Sequence, residues 1–166
     1  MAPPYFPITV KELRGNWRFS VLEEGRFEAE GFEIIARPVP HPGGRTFGFR
    51  ITDGRSTMAY VPDHGPLALG PGPDGWGPYH DDIVALVEGV DLLLHDAQLV
   101  PADLPAKANF GHSTVDYAIG LAERASVGRL LLFHHDPWRT DDEIDAIVRC
   151  RGPAVGAAVE GDTLLL

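Results

Sequence analysis

Short apolar runs alternate along the chain with polar segments that are rich in glycine and proline. In the second half, the runs at residues 90–94 and 129–133 are typical of buried strands. A helix is predicted between them by apolar residues at the i, i+3, i+4, i+7 spacing, namely Val115, Ala118, Ile119 and Ala122. Ser113 or Thr114 opens this helix, and the segment from Ser113 to Asp116 fits a capping box. Gly128 ends the segment that contains this helix.

The first half of the chain is richer in strand patterns. We predict strands at residues 17–21, 32–39, 46–51 and 56–61, with a tight hairpin turn at Asp53-Gly54. A Gly/Pro-rich loop at 66–79 leads to a short helix at 81–88. A second capping box, from Thr140 to Glu143, opens the last helix, and segments 154–159 and 163–166 can pair as a terminal hairpin. The order, β-rich first and then β-α-β-α-β, predicts an α/β sandwich with one mixed sheet and helices on its outer face.

Composition narrows the class of protein. The 166 residues correspond to about one domain, residues 1–166, and no apolar run approaches the ~18 residues that a membrane span needs. The first residues lack the pattern of a signal peptide, and the single cysteine, Cys150, is compatible with a reducing cytoplasm, so we expect a cytoplasmic protein without membrane contact. The net charge of −10 makes nucleic-acid binding an unfavoured function, although it leaves small anionic substrates open.

Histidines and acids stand where apolar runs stop. His95 and Asp96 follow one predicted strand, and three more histidines and an aspartate lie in loops beside glycine or proline, namely His41, Asp63, His112 and His134. Ligands bind beyond the carboxyl ends of strands in open α/β sheets, and histidine and aspartate on separate loops suit zinc or manganese.

Simpler interpretations of these residues remain open. Each histidine could be a solvated loop residue, Asp63 could cap its own turn, and Asp96 could orient His95 or a backbone amide. We interpret His64, His80 and His135 as structural or surface residues.

Five segments together resemble one known family. The matching segments, in family order, are PVPH at 38–41 with FGFR at 47–50, AYVPD at 59–63, LHDA at 94–97, GHST at 111–114 and LLFH at 131–134. The chain thereby resembles the metallo-β-lactamase superfamily of metal-dependent hydrolases, in its ribonuclease Z-like and phosphodiesterase-like branch. The resemblance implies an αββα sandwich and two zinc or manganese ions. It points away from β-lactams as substrates.

The resemblance also implies roles for individual residues. His41 and Asp63 would bind one metal ion, and Asp63 and His134 the other. His112, steered by Asp96, would donate a proton to the leaving oxygen or stabilise the transition state. The implied reaction is hydrolysis of a small phosphodiester or related ester by a metal-bound hydroxide.

One family feature is missing from the sequence. The signature His-x-His-x-Asp-His does not occur, and no histidine precedes His41. We therefore expect an N-terminally incomplete sandwich that binds metal weakly, because a tetrahedral zinc site needs three or four protein ligands. We also expect a homo-oligomer, since an incomplete sheet exposes an edge and an apolar face. The alternatives are a catalytically inactive, partner-binding paralogue, or a true start site that lies upstream.

Overall fold

The strands of this protein form one mixed sheet. The computed structural model describes residues 9, 12–17 and 19–166. Its seven strands lie in chain order and are β1 (Gly25–Ala29), β2 (Phe32–Val39), β3 (Thr46–Thr52), β4 (Thr57–Val61), β5 (Leu92–Asp96), β6 (Arg129–Phe133) and β7 (Val155–Ala157). Strands β1 to β4 pair antiparallel through short turns, whereas β4 to β7 pair parallel. Parallel pairing needs long crossover connections, and helices occupy those connections.

In the described part of the chain, four α-helices accompany the sheet: α1 (Asp81–Val87), α2 (Leu104–Lys107), α3 (Val115–Arg124) and α4 (Asp141–Arg149). His80 caps α1 by accepting a hydrogen bond from the backbone N–H of Ile83. Thr140 and Glu143 form the predicted capping box of α4. Each cap satisfies a backbone donor that the first helical turn leaves open, so these polar residues fix where the helices begin.

One face of the sheet carries the main core. Ala59, Leu93 and Leu130 are partners in neighbouring strands, are 1% exposed or less, and pack with buried residues of α1 and α3. Because successive side chains alternate between faces, the adjacent row of partners turns the other way. That row includes Phe49, Tyr60 and Leu94, which are half-buried and lie outside the main core. The sheet thus presents a second apolar face.

Three local predictions are wrong. The strand predicted at 17–21 is absent from residues 17 and 19–21, and Arg18 lies outside the described residues. The first described strand begins at Gly25 and pairs with β2. The terminal hairpin is absent from residues 154–166, because β7 pairs with β6 in parallel and no strand lies at 163–166. Finally, α3 does not begin with the capping box predicted from Ser113 to Asp116, because Thr114, the other predicted first residue, is its N-cap. The Ser113 hydroxyl instead donates to the His64 carbonyl, 2.7 Å away.

The predicted α/β class and the mixed sheet are confirmed. The strands predicted at 32–39, 46–51 and 56–61 correspond to β2, β3 and β4, and the hairpin turn between β3 and β4 and helices α1, α3 and α4 also follow the sequence pattern. Within the described residues, none of the helices has the length and apolar character that crossing a bilayer demands.

Candidate metal and catalytic site

The ends of three parallel strands bring the predicted site residues to one edge of the sheet. Asp63 lies two residues beyond β4, Asp96 is the last residue of β5, and His134 directly follows β6. Val61, His95 and Leu132 are partners in register, so the three strands end side by side. His112 enters the same region from the loop before α3. The site residues therefore lie at the carboxyl ends of parallel strands, which is where ligands bind in sheets of this kind.

Three of the predicted residues form a compact cluster. Ligand-type atoms of Asp63, His112 and His134 all lie within 4.8 Å of one another. The Nε2 atom of His134 is 3.5 Å from Oδ1 of Asp63. The rings of His112 and His134 stack with centroids 4.7 Å apart. His134 has a φ of 57°, a left-handed conformation uncommon outside glycine, and it turns the chain away directly after β6. The sequence gives no sign of that local strain.

The buried side chain of Asp96 orients His112 by a hydrogen bond. The Nδ1–H of His112 donates to Oδ2 of Asp96 over 2.8 Å, and the carboxylate is fully buried. Two backbone N–H groups, those of His64 and Gln98, also donate to Asp96 and fix its orientation. The hydrogen bond to Asp96 raises the pKa of His112 against the opposing effect of partial burial. The pairing with Asp96 favours the protonated form of His112.

His41 lies beside the cluster without joining its closest group. Its ring centroid is 5.3 Å from that of His112. Its Nδ1–H donates to the carbonyl of Gly111 over 2.8 Å, which leaves Nε2 available as an acceptor or ligand. The structure thus brings Asp63, His112 and His134 together, with His41 as their neighbour.

A second group of histidines lies behind the site. His64 and His95 are 0% exposed, and Nδ1 of His64 is 3.1 Å from Nε2 of His95. The Nδ1–H of His95 donates to the backbone carbonyl of Asp96, so its Nε2 accepts from the Nδ1–H of His64. His80, the cap of α1, packs edge-on against His64 with centroids 5.7 Å apart.

Burial keeps these histidines neutral. It lowers the pKa of His64 far below the usual value, with help from His95 and His80, and it lowers the pKa of His95 and His80 as well. Among the described residues, neither Nε2 of His64 nor Nε2 of His80 has a hydrogen-bond partner. The burial of His95 could have been predicted from the strand pattern, because alternation places His95 on the same face as the buried Leu93. His64 lies in a loop, where no periodicity applies.

Comparisons with known proteins find relatives of one family. A family profile described as "Beta-lactamase superfamily domain" matches residues 4–135. Ribonuclease BN of Escherichia coli is 32% identical over 133 residues, which are 79% of this chain and 34% of that protein. The chain therefore spans about a third of the length of this curated relative.

Solved structures show the same fold. Human tRNase Z, short form, superposes with a TM-score of 0.54 and 27% identity, over 67% of this chain and 38% of that chain. Zn(2+)-bound PqqB from Methylobacterium extorquens gives a TM-score of 0.65 at 21% identity, over 88% of this chain and 55% of that chain.

Proposed function

This chain belongs to the beta-lactamase superfamily, and from that premise we propose that it serves metal-dependent hydrolysis of a small phosphodiester or related ester. The observation that carries the proposal is the convergence of Asp63, His112 and His134 within 4.8 Å, with Asp96 bonded behind His112. One carboxylate and one imidazole suitable for a metal ion thus lie beside a histidine whose protonated form is favoured. Metal ligands and a proton donor are the two parts that hydrolysis of this kind requires.

Asp63 and His134 are the residues we propose as metal ligands, with His41, whose Nε2 is available, as an additional donor. Their nitrogen and oxygen atoms suit zinc or manganese, and PqqB, which shares the fold, is a zinc-bound protein. Both side chains are about one third exposed, so an ion can reach them from solvent. When bound, the ion would supply Lewis acidity and increase the acidity of coordinated water. Two or three protein ligands make a weak site, because stable zinc sites use three or four.

His112 is better suited to proton transfer than to metal binding. A metal ligand must be neutral, whereas Asp96 raises the pKa of His112 and so favours its charged form. The imidazolium can donate its Nε2 proton to the leaving oxygen or stabilise negative charge there. The hydrogen bond to Asp96 occupies Nδ1 of His112 and leaves Nε2 as the nitrogen for proton transfer. We propose the Asp96–His112 pair as the acid of the reaction.

Metal content after exhaustive dialysis, followed by equilibrium dialysis against zinc and manganese, tests the ligand assignment. We expect weak binding that a mild chelator reverses and that His134→Ala and Asp63→Ala abolish. His80→Asn is the matched control, because it removes a histidine outside the cluster while asparagine can still cap α1. Equal zinc uptake by His134→Ala and the unchanged protein would exclude this site. Tight, stoichiometric binding would contradict the two- or three-ligand description.

A second candidate function is a catalytically inactive, partner-binding oligomer. It is favoured by the second face of the sheet, where Phe49, Tyr60 and Leu94 are half-buried and lie outside the main core. Hydrolysis of bis(4-nitrophenyl) phosphate with added zinc or manganese distinguishes the two candidates. Activity that depends on metal and is lost in His112→Ala supports the hydrolase. Zinc binding at Asp63 and His134 without any turnover supports the inactive alternative.

A further inference from the structure

An open cavity of about 580 Å³ adjoins the metal and catalytic site. It lies between two short 3₁₀ helices, Pro66–Leu69 and Ala108–Phe110. Gly65 and Gly111 line it, and they lie two residues after Asp63 and directly before His112. His41 lines the cavity as well, with its ring 5.3 Å from that of His112. The cavity and the site therefore share a wall.

The lining of the cavity is apolar and nearly free of charge. Its apolar side chains are those of Pro42, Leu67, Ala68, Pro71 and Ala108. Among the described residues that line it, none is Lys, Arg, Asp or Glu, and His41 and Asn109 are the polar side chains. A polyanion such as RNA is bound through clustered basic residues, which this wall lacks. The volume falls in the range of about 300–1,000 Å³ that is typical of small-molecule sites.

The walls of the cavity are held together by tight loop contacts. The backbone N–H of Gly65 donates to the carbonyl of Pro40 over 2.7 Å, and His41 donates to Gly111 over 2.8 Å. A Cβ atom added at Gly65 would lie 2.7 Å from the carbonyl carbon of Gly111. Three loops thus approach one another so closely that glycine is required. A cavity with walls fixed in this way needs little reordering when a ligand enters.

We infer that this cavity binds the uncharged, apolar group of a small ester or phosphoester whose hydrolysable centre lies over Asp63, His112 and His134. The inference rests on the proposed function and names its substrate class. An apolar group gains affinity by leaving water, while the cluster beyond the shared wall takes the polar, reacting end. RNA is the competing occupant.

Occupancy of the cavity can be tested without metal. Benzyl alcohol, a neutral apolar probe, is titrated into the full-length ¹⁵N-labelled protein, and the backbone amides of Gly65, Gly70 and Gly111 are followed by NMR. Ala68→Trp places an indole at the cavity wall, whereas Leu69→Trp makes the same change one residue along the same turn, at a position that does not line the cavity. We expect saturable shifts that Ala68→Trp weakens about tenfold or more and that Leu69→Trp preserves. No shifts at these amides, or equal losses in both variants, would overturn the inference.

The link to the metal site is tested with phosphonates. In zinc-supplemented protein we expect phenylphosphonate to bind about tenfold more tightly than methylphosphonate, and Ala68→Trp to remove that advantage alone. Equal binding of the two phosphonates overturns the inference but leaves the proposed metal site intact. If neither phosphonate binds with zinc present, the proposed function fails and the substrate assignment of the cavity fails with it. If a short RNA displaces benzyl alcohol, the occupant is RNA and the inference is wrong.

Discussion

Acidification should destabilise this fold through two histidines that are buried as neutral rings. Burial lowers the folded-state pKa of both His64 and His95 below the ordinary value of 6.5. A lowered folded-state pKa means that the unfolded chain binds more protons. The stability contribution is therefore present above pH 6.5 and is lost as the pH falls below it.

The size of the effect follows from the unfolded state. At a pH about one unit below 6.5, an unfolded imidazole is mostly protonated, which favours unfolding by about 1 to 2 kcal/mol for each histidine that stays neutral when folded. Both rings are 0% exposed, so solvent does not screen this effect. The two together should lower the free energy of unfolding by about 2 to 3 kcal/mol between about pH 7.5 and 5.5.

Urea denaturation at these two pH values, with a chelator present, measures the effect. The informative variant is His95→Gln, which removes one titrating ring while glutamine keeps a carbonyl acceptor near Nδ1 of His64. His112 acts in the opposite direction, because its raised pKa stabilises the fold at low pH, and it is present in both proteins.

The pH dependence, rather than the absolute stability, is the quantity to compare. We expect the decrease in unfolding free energy to be about 1 to 2 kcal/mol smaller in His95→Gln. The same pH dependence in both proteins would refute the assignment of His95 as a buried neutral ring.

Three further changes test the core, the loop junction and the apolar face. Leu121→Ala, at a fully buried position of α3, should cost about 2–5 kcal/mol in urea denaturation, whereas Leu165→Ala, at a 96% exposed position, should change little. Gly111→Ala would place a Cβ 2.1 Å from a ring carbon of Pro42. It should lower the free energy of unfolding more than Gly31→Ala, because Gly31 has a similar φ but open space around it. Equal losses would contradict the close contact between the loops at Gly111 and Pro42. We also expect self-association through the second face of the sheet, and Tyr60→Asp should shift light scattering towards monomer; a monomeric unchanged protein would count against this.

The sequence predicted elements best where local signals and burial agree. Helix α3 combines an apolar face with a capping threonine, and both features are present in the structure. The predicted terminal hairpin was wrong: the turn signal at 160–162 between segments 154–159 and 163–166 suits a hairpin, yet β7 instead pairs with the edge of β6. Such long-range pairing is not encoded in local periodicity. Strand β1 was missed because it begins at a glycine that reads as a turn residue.

The candidate site was predictable in its members but not in its arrangement. Strand ends indicated that Asp63, Asp96 and His134 would meet, and the structure places them at one edge of the sheet. The sequence could not show that His112 would stack on His134, because that contact depends on how α3 packs. The roles of His41, Asp63 and His134 as metal ligands, and of Asp96 and His112 in catalysis, stay predictions.

The change from antiparallel to parallel pairing at β4 has a consequence for how the chain folds. Strands β1 to β4 are joined by short turns, so pairing them closes only small loops. Each later strand can pair only after a crossover connection of some twenty to thirty residues has closed. Asp63 belongs to the end of the first half, and His112 and His134 belong to the second. We therefore expect the hairpin half to gain hydrogen-exchange protection first in pulse-labelled refolding, and the site to be assembled in the last step.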